Sequence, residues 1–159
     1  MKFKKRTYNS PGDFISDVLF PFKNRRKLQG VMSGTLISPA FRERLMLAVT
    51  AVNGCRYCSY FHTGEALKSG LSREEISRLL SGESATCPPE EASAVIYAQH
   101  WAESNANPDP VALQKLEEIY GREKTDAIHL VLRMIRIGNL SGNSWDYLLY
   151  RISFSKWGQ

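Results

Sequence analysis

The chain is poor in cysteine, with three in 159 residues. That is too few for a scaffold stapled by disulfides, and the odd number leaves at least one thiol unpaired. A reducing compartment, by default the cytoplasm, is the expectation. Long apolar runs are also missing: no stretch approaches the ~20 residues needed to span a bilayer. The basic start Met1-Lys2-Phe3-Lys4-Lys5-Arg6 is followed by no apolar segment, so neither a secretion signal nor a membrane helix is expected. Glycine (11) and proline (7) show no excess, and 43% of residues are hydrophobic, which excludes collagen-like and disordered classes. A single domain over 1–159 is therefore expected.

Charge of one sign is in modest excess. There are 21 Lys and Arg against 16 Asp and Glu, with basic clusters at residues 2–6 and at Lys23, Arg25, Arg26 and Lys27. Such clusters can attract phosphate. No aromatic stacking pattern or recognition-helix signature accompanies them, so residues 1–35 are read as a solvated basic arm, and nucleic acid is not an expected partner.

Alternating strand patterns are absent, and helical periodicity runs almost throughout. Ser38-Pro39 opens a helix that Asn53-Gly54 closes, and a second helix runs from about Cys55 to Ser69 before Gly70. Ser72-Arg73-Glu74-Glu75 reads as a capping box for a short helix ending at Gly82. The prolines of Cys87-Pro88-Pro89 break the chain; a helix then spans about Glu90 to Ser104, and Asn107-Pro108-Asp109-Pro110 breaks it again. An amphipathic helix follows with Leu113, Leu116 and Ile119. Residues from Lys124 to Ile137 are apolar nearly all round, as expected at a bundle centre or subunit interface. Gly138, Asn139, Gly142 and Asn143 recur at helical spacing, which suggests either close helix approach or a kink.

Chemistry concentrates between Glu43 and His62. Cys55, Cys58 and His62 stand at i, i+3 and i+7, so at ~100° per residue they share one helix face. Cys55 lies at a helix start, where free amides and the helix dipole favour a thiolate. Glu43 is about ten residues before the Asn53-Gly54 turn and His62 about eight after it; in an antiparallel hairpin rising ~1.5 Å per residue they meet at one height. Glu43 shares its face with Met46, Leu47 and Thr50, and a carboxylate facing inward needs a partner.

Glu43, eleven residues, Cys55-x-x-Cys58, three residues and His62 resemble the alkylhydroperoxidase D family, within the carboxymuconolactone decarboxylase-like superfamily. The resemblance continues through His62-Thr63-Gly64-Glu65-Ala66-Leu67-Lys68-Ser69-Gly70-Leu71-Ser72 and is strongest over 36–82. It implies an all-α helical bundle, alkylhydroperoxidase D-like, with an antiparallel helix hairpin carrying the C-x-x-C motif, and a homo-oligomer. The implied activity is a thiol peroxidase or disulfide oxidoreductase acting on organic hydroperoxides, with electrons from a dithiol donor and no cofactor or metal. Cys58 would attack as thiolate, Glu43 would act through His62, and Cys55 would resolve the sulfenic acid. The founding pattern has a second histidine immediately before the second cysteine, where this chain has Tyr57, a weaker base.

Three rival readings accompany this one. Two thiolates, an imidazole and a carboxylate could fill a zinc tetrahedron. The fold could serve a decarboxylase or lactone-handling enzyme, although decarboxylation needs no paired thiols. The basic arm could serve a non-enzymatic binding module. Cys87, His100 and His129 read as an incidental thiol and two packed histidines.

Overall fold

The computed structural model describes residues 3–85, 87–153 and 158. Among these there are seven helices and no strand: α1 (Pro11–Lys23), α2 (Arg25–Met32), α3 (Pro39–Asn53), α4 (Arg56–Lys68), α5 (Arg73–Leu80), α6 (Pro89–Glu103) and α7 (Pro110–Ile152).

Local chemistry sets most boundaries. The Ser38 side chain accepts from the Phe41 amide at 3.1 Å, and Pro39 occupies the first turn of α3, where its missing N–H costs nothing. Gly54 caps the other end at φ 71°, a left-handed conformation that side chains resist. Ser72 caps α5 by accepting from the Glu75 amide at 3.1 Å. These are the stops and starts that the sequence announces.

Helix α3 is the hub. It packs against α4, α5, α6 and α7, and Leu45, Leu47, Ala48 and Val49 are fully buried. Arg44 extends the hub electrostatically by donating to Glu75 of α5 at 2.6 Å and Glu91 of α6 at 2.9 Å. Opposite lies α7, whose only non-helical residue is Gly121 (φ 72°, ψ 163°). Gly121 thus ends the amphipathic stretch where the sequence expects, and beyond it the apolar and C-terminal stretches form one rod from 122 to 152. Gly138 and Gly142 cause no kink in it. Of the two readings, close helix approach is the one observed.

Two expectations change. The stretch read as a basic arm contains α1 and α2, and three of its cations pair with other parts of the fold, while Lys23, Arg25 and Arg26 are exposed. Lys5 reaches Asp146, Arg6 donates to the Ala102 carbonyl at 2.7 Å, and Lys27 pairs with Asp126. Helix α1 is anchored by Asp17, a buried carboxylate that accepts from Arg133 at 2.6 Å and from Arg136. Pro21 inside α1 and the charges flanking it mask the helical pattern in the sequence. The second change concerns the ground for expecting an oligomer. Ile128, Leu130, Val131, Leu132 and Ile135 are buried within the chain, so this apolar segment belongs to the bundle centre. Exposed apolar side chains lie elsewhere, on α1 (Phe14, Ile15, Leu19, Phe22) and at the end of α7 (Trp145, Leu148, Ile152).

Candidate active site

The hairpin of α3 and α4 brings Glu43 to His62. Nδ1 of His62 lies 2.7 Å from Oε2 of Glu43, and Nε of Arg42 donates to Oε1 at 3.2 Å. Glu43 is only 2% exposed. An ionised carboxylate only accepts hydrogen bonds, so it holds the hydrogen on Nδ1 and leaves Nε2 as the free acceptor.

Cys55 is the N-cap of α4, and its Sγ accepts from the Cys58 amide at 3.3 Å. The two sulfurs are hydrogen-bonded at 2.7 Å. The thiols therefore share protons unequally. The hydrogen bond from Cys58 is the main cause that brings Cys55 down to about 6; the amides of Cys58 and Tyr57 assist, while burial and the Asp146 charge oppose. The same sulfur–sulfur bond, followed by burial, pushes Cys58 up, and a hydrogen bond from the Asn139 side chain works against that rise.

Accessibility separates the two thiols in the opposite sense. Cys55 is fully buried, whereas Cys58 lines a cleft of about 460 Å³ together with Glu43 and His62. Three methionines, Met32, Met46 and Met134, wall the same cleft with soft, adaptable surface. Tyr57 stands at the cleft edge, but its hydroxyl donates to Asp146 at 2.9 Å.

Helix α7 supplies residues that the motif alone did not reveal. Gly138 and Gly142 lie under the two sulfurs: a Cβ at Gly138 would stand 3.6 Å from Cys58 Sγ, and one at Gly142 3.1 Å from Cys55 Sγ. Asn139 donates to Thr50 Oγ1 and accepts from Asn53, both at 3.1 Å, and Asn143 donates to the Asn53 carbonyl at 2.7 Å, fixing the end of α3 beside the thiols. The recurrent small and amide residues were the signal for this face. Asp146, one turn further on, carried none.

The remaining candidates sit apart. Cys87 is buried and pushed up to about 11, chiefly by burial. His129 meets the Tyr97 hydroxyl at 2.8 Å and is held down by burial, and His100 accepts from the Asp109 amide at 3.1 Å. Among the described residues no group of three or more His, Cys, Asp and Glu is arranged to hold a metal ion, so Cys55, Cys58, His62 and Glu43 do not converge as a zinc tetrahedron. No described helix is long and apolar enough to cross a membrane.

Comparison with known proteins yields one match. Residues 25–100, just under half of the chain, fit the family model described as the carboxymuconolactone decarboxylase family. No curated protein and no solved structure matches. The matched stretch runs from α2 through α3, α4 and α5 into α6 and contains Glu43, Cys55, Cys58 and His62. Over residues 25–100 the chain is thus similar to the carboxymuconolactone decarboxylase family, which includes the alkylhydroperoxidase D-like proteins.

Proposed function

We propose that the protein is a thiol peroxidase of the alkylhydroperoxidase type, reducing organic hydroperoxides through Cys58 and Cys55. One observation carries the reading. The accessible thiol of the C-x-x-C pair and the Glu43–His62 pair open onto the same apolar-walled cleft. Simple burial of the two thiols requires no such convergence.

The Cys58 thiol is held above its ordinary range, so it needs a base. Nε2 of His62 takes its proton, with Glu43 holding the tautomer and stabilising the imidazolium. The Cys58 thiolate attacks the distal peroxide oxygen; the O–O bond breaks, Cys58 becomes a sulfenic acid, and the alkoxide takes the proton from His62. Cys55, already favoured as thiolate, attacks the sulfenic sulfur, and hydroxide leaves and is protonated to water. In sum, two thiols and one hydroperoxide give a disulfide, an alcohol and water. A dithiol donor then reduces the disulfide by exchange, attacking Cys58, the sulfur that the cleft leaves open.

Lys5 and Arg6 are engaged within the fold, which speaks against a charged binding module built on the N-terminal cluster. A decarboxylase, the activity in the family's name, would have no use for the paired thiols. The deciding experiment is mass spectrometry of reduced protein after limiting cumene hydroperoxide, for the parent chain and for Cys55→Ser and Cys58→Ser. A Cys55–Cys58 disulfide in the parent, and a trapped sulfenic acid on Cys58 in Cys55→Ser, are expected. Absence of both in the folded protein would turn attention to the decarboxylase or lactone-handling reading.

A further inference from the structure

Asp146 is a fully buried carboxylate that meets Arg56 across ninety residues of sequence. Its Oδ1 accepts from Arg56 Nη2 at 2.8 Å and from the Tyr57 hydroxyl at 2.9 Å, and its Oδ2 accepts from Lys5 Nζ at 2.6 Å. Arg56 and Tyr57 are the two residues between Cys55 and Cys58. One carboxylate thus grips both intervening positions of the C-x-x-C motif. It also carries a cation from the N-terminal segment, whose Lys5 stem passes Gly54, the residue before Cys55.

We propose that Asp146 is the positioning residue of the cysteine pair, and that its ion pair with Lys5 sets how readily the pair is oxidised. The proposal deepens the redox reading above and rests on it. Gly142, one turn before Asp146 on α7, lies under the Cys55 sulfur, where an added Cβ would stand 3.1 Å from Sγ, so the carboxylate and the thiol face the same helix surface. The groups facing Cys55 are Cys58, Tyr57 and Arg56 on its own helix, Asp146 on α7 and Lys5 from the N-terminal segment. Asp146 opposes negative charge on Cys55, while Lys5 and Arg56 compensate Asp146. Removing the carboxylate leaves two cations near the thiol; removing Lys5 leaves the carboxylate less compensated. The two changes must therefore push the pair in opposite directions. Burial holds up the Asp146 proton affinity, but the hydrogen bonds from Lys5, Tyr57 and Arg56 outweigh it and keep the carboxyl below its usual range, so the charge is present at neutral pH.

Full-length protein and its Asp146→Asn and Lys5→Met variants are equilibrated at pH 7 with graded ratios of reduced and oxidised dithiothreitol, and thiolate absorbance is followed against pH in the reduced proteins. Asp146→Asn is expected to shift the equilibrium toward the dithiol, and Lys5→Met toward the disulfide, each by roughly threefold or more for a partly screened charge at close range. Thiolate absorbance should develop at lower pH in Asp146→Asn and at higher pH in Lys5→Met. Shifts in the same direction, as general loosening would give, or titrations identical to the parent would overturn the proposal. If Asp146→Asn fails to fold, Lys5→Met decides alone by the same sign. A parent that forms no Cys55–Cys58 disulfide at any ratio would defeat the redox reading, and the thiolate titration, which needs no disulfide, would still decide the role of Asp146.

Discussion

Glu43→Gln should separate a proton relay from a structural ion pair. The side chain is 2% exposed and bonded on both oxygens, to His62 at 2.7 Å and to Arg42 at 3.2 Å. Glutamine keeps the shape, so the cavity term that accompanies truncation is absent. Two things are lost. The negative charge that stabilises an imidazolium disappears, and so does control of the tautomer, because an amide can donate to Nδ1 as well as accept from it. With Nδ1 accepting, Nε2 carries the hydrogen and cannot take the Cys58 proton. General-base assistance contributes ~10²–10⁴-fold, equivalent to about 3–5 kcal/mol in the barrier, and the oxidation rate should fall by that order. The stability loss should be smaller, about 1–3 kcal/mol for a buried hydrogen bond left imperfect. Stopped-flow oxidation of reduced protein by cumene hydroperoxide, paired with denaturant unfolding, measures both. His62→Asn, which removes the base itself, should match the rate loss. Rates within about threefold of the parent alongside lowered stability would refute the relay and make Glu43 a packing partner of Arg42 and His62.

Other consequences follow from the same geometry. Asp17→Asn leaves Arg133 and Arg136 facing a buried neutral group, so unfolding free energy should drop by about 3–5 kcal/mol, with α1 the first segment to become protease-sensitive. Gly138→Ala should stabilise α7 by about 0.5–1 kcal/mol, since its Cβ meets only ordinary contact at 3.6 Å. Gly142→Ala should fall short of that gain, because its Cβ would stand 3.1 Å from Cys55 Sγ; chemical denaturation compares the two. For reduced protein, stability should rise with pH from about 6 to about 8.5, where the folded chain holds Cys55 as thiolate and the unfolded chain still binds that proton. Above that window it should fall, because unfolded thiols ionise while Cys58 and Cys87 keep their protons in the fold. Unfolding midpoints across pH check both limbs, and Cys55→Ser should abolish the rising one.

The assignment of roles to the two thiols illustrates why acidity and reactivity need not coincide. Position at a helix start favours Cys55 as the anion, and the structure agrees, since Cys55 caps α4 and accepts the Cys58 amide. Yet a peroxide must reach sulfur, and only Cys58 borders the cleft. A buried thiolate 2.7 Å away is well suited to the later step, attack on the oxidised sulfur of its neighbour, which requires proximity and no access from solvent. Under the proposed peroxidase cycle, each thiol therefore has the property that its own step demands.

What the sequence made legible was local or followed from hairpin geometry. Ser38-Pro39, Asn53-Gly54 and Ser72 announce helix ends because capping depends on side chains within three residues of the backbone they satisfy. The meeting of Glu43 and His62 could be anticipated because two helices joined at Gly54 fix their register by counting residues. Contacts across long sequence separation had no such ruler. Nothing near Arg56 and Tyr57 signals a carboxylate ninety residues on, and nothing near Asp17 signals two arginines on α7. Even so, the spacing of Gly138, Gly142 and Asp146 repeats every fourth residue, which on a straight helix is one continuous face. Small residues on such a face let a neighbouring backbone come close, and the next residue in the register then lies where a first helical turn would end. Here that position is an acidic residue, and the turn it meets is Cys55-Arg56-Tyr57-Cys58. The face that makes room for the sulfurs is thus the one that holds their intervening residues, which is why the thiols and the carboxylate must respond to each other's charge.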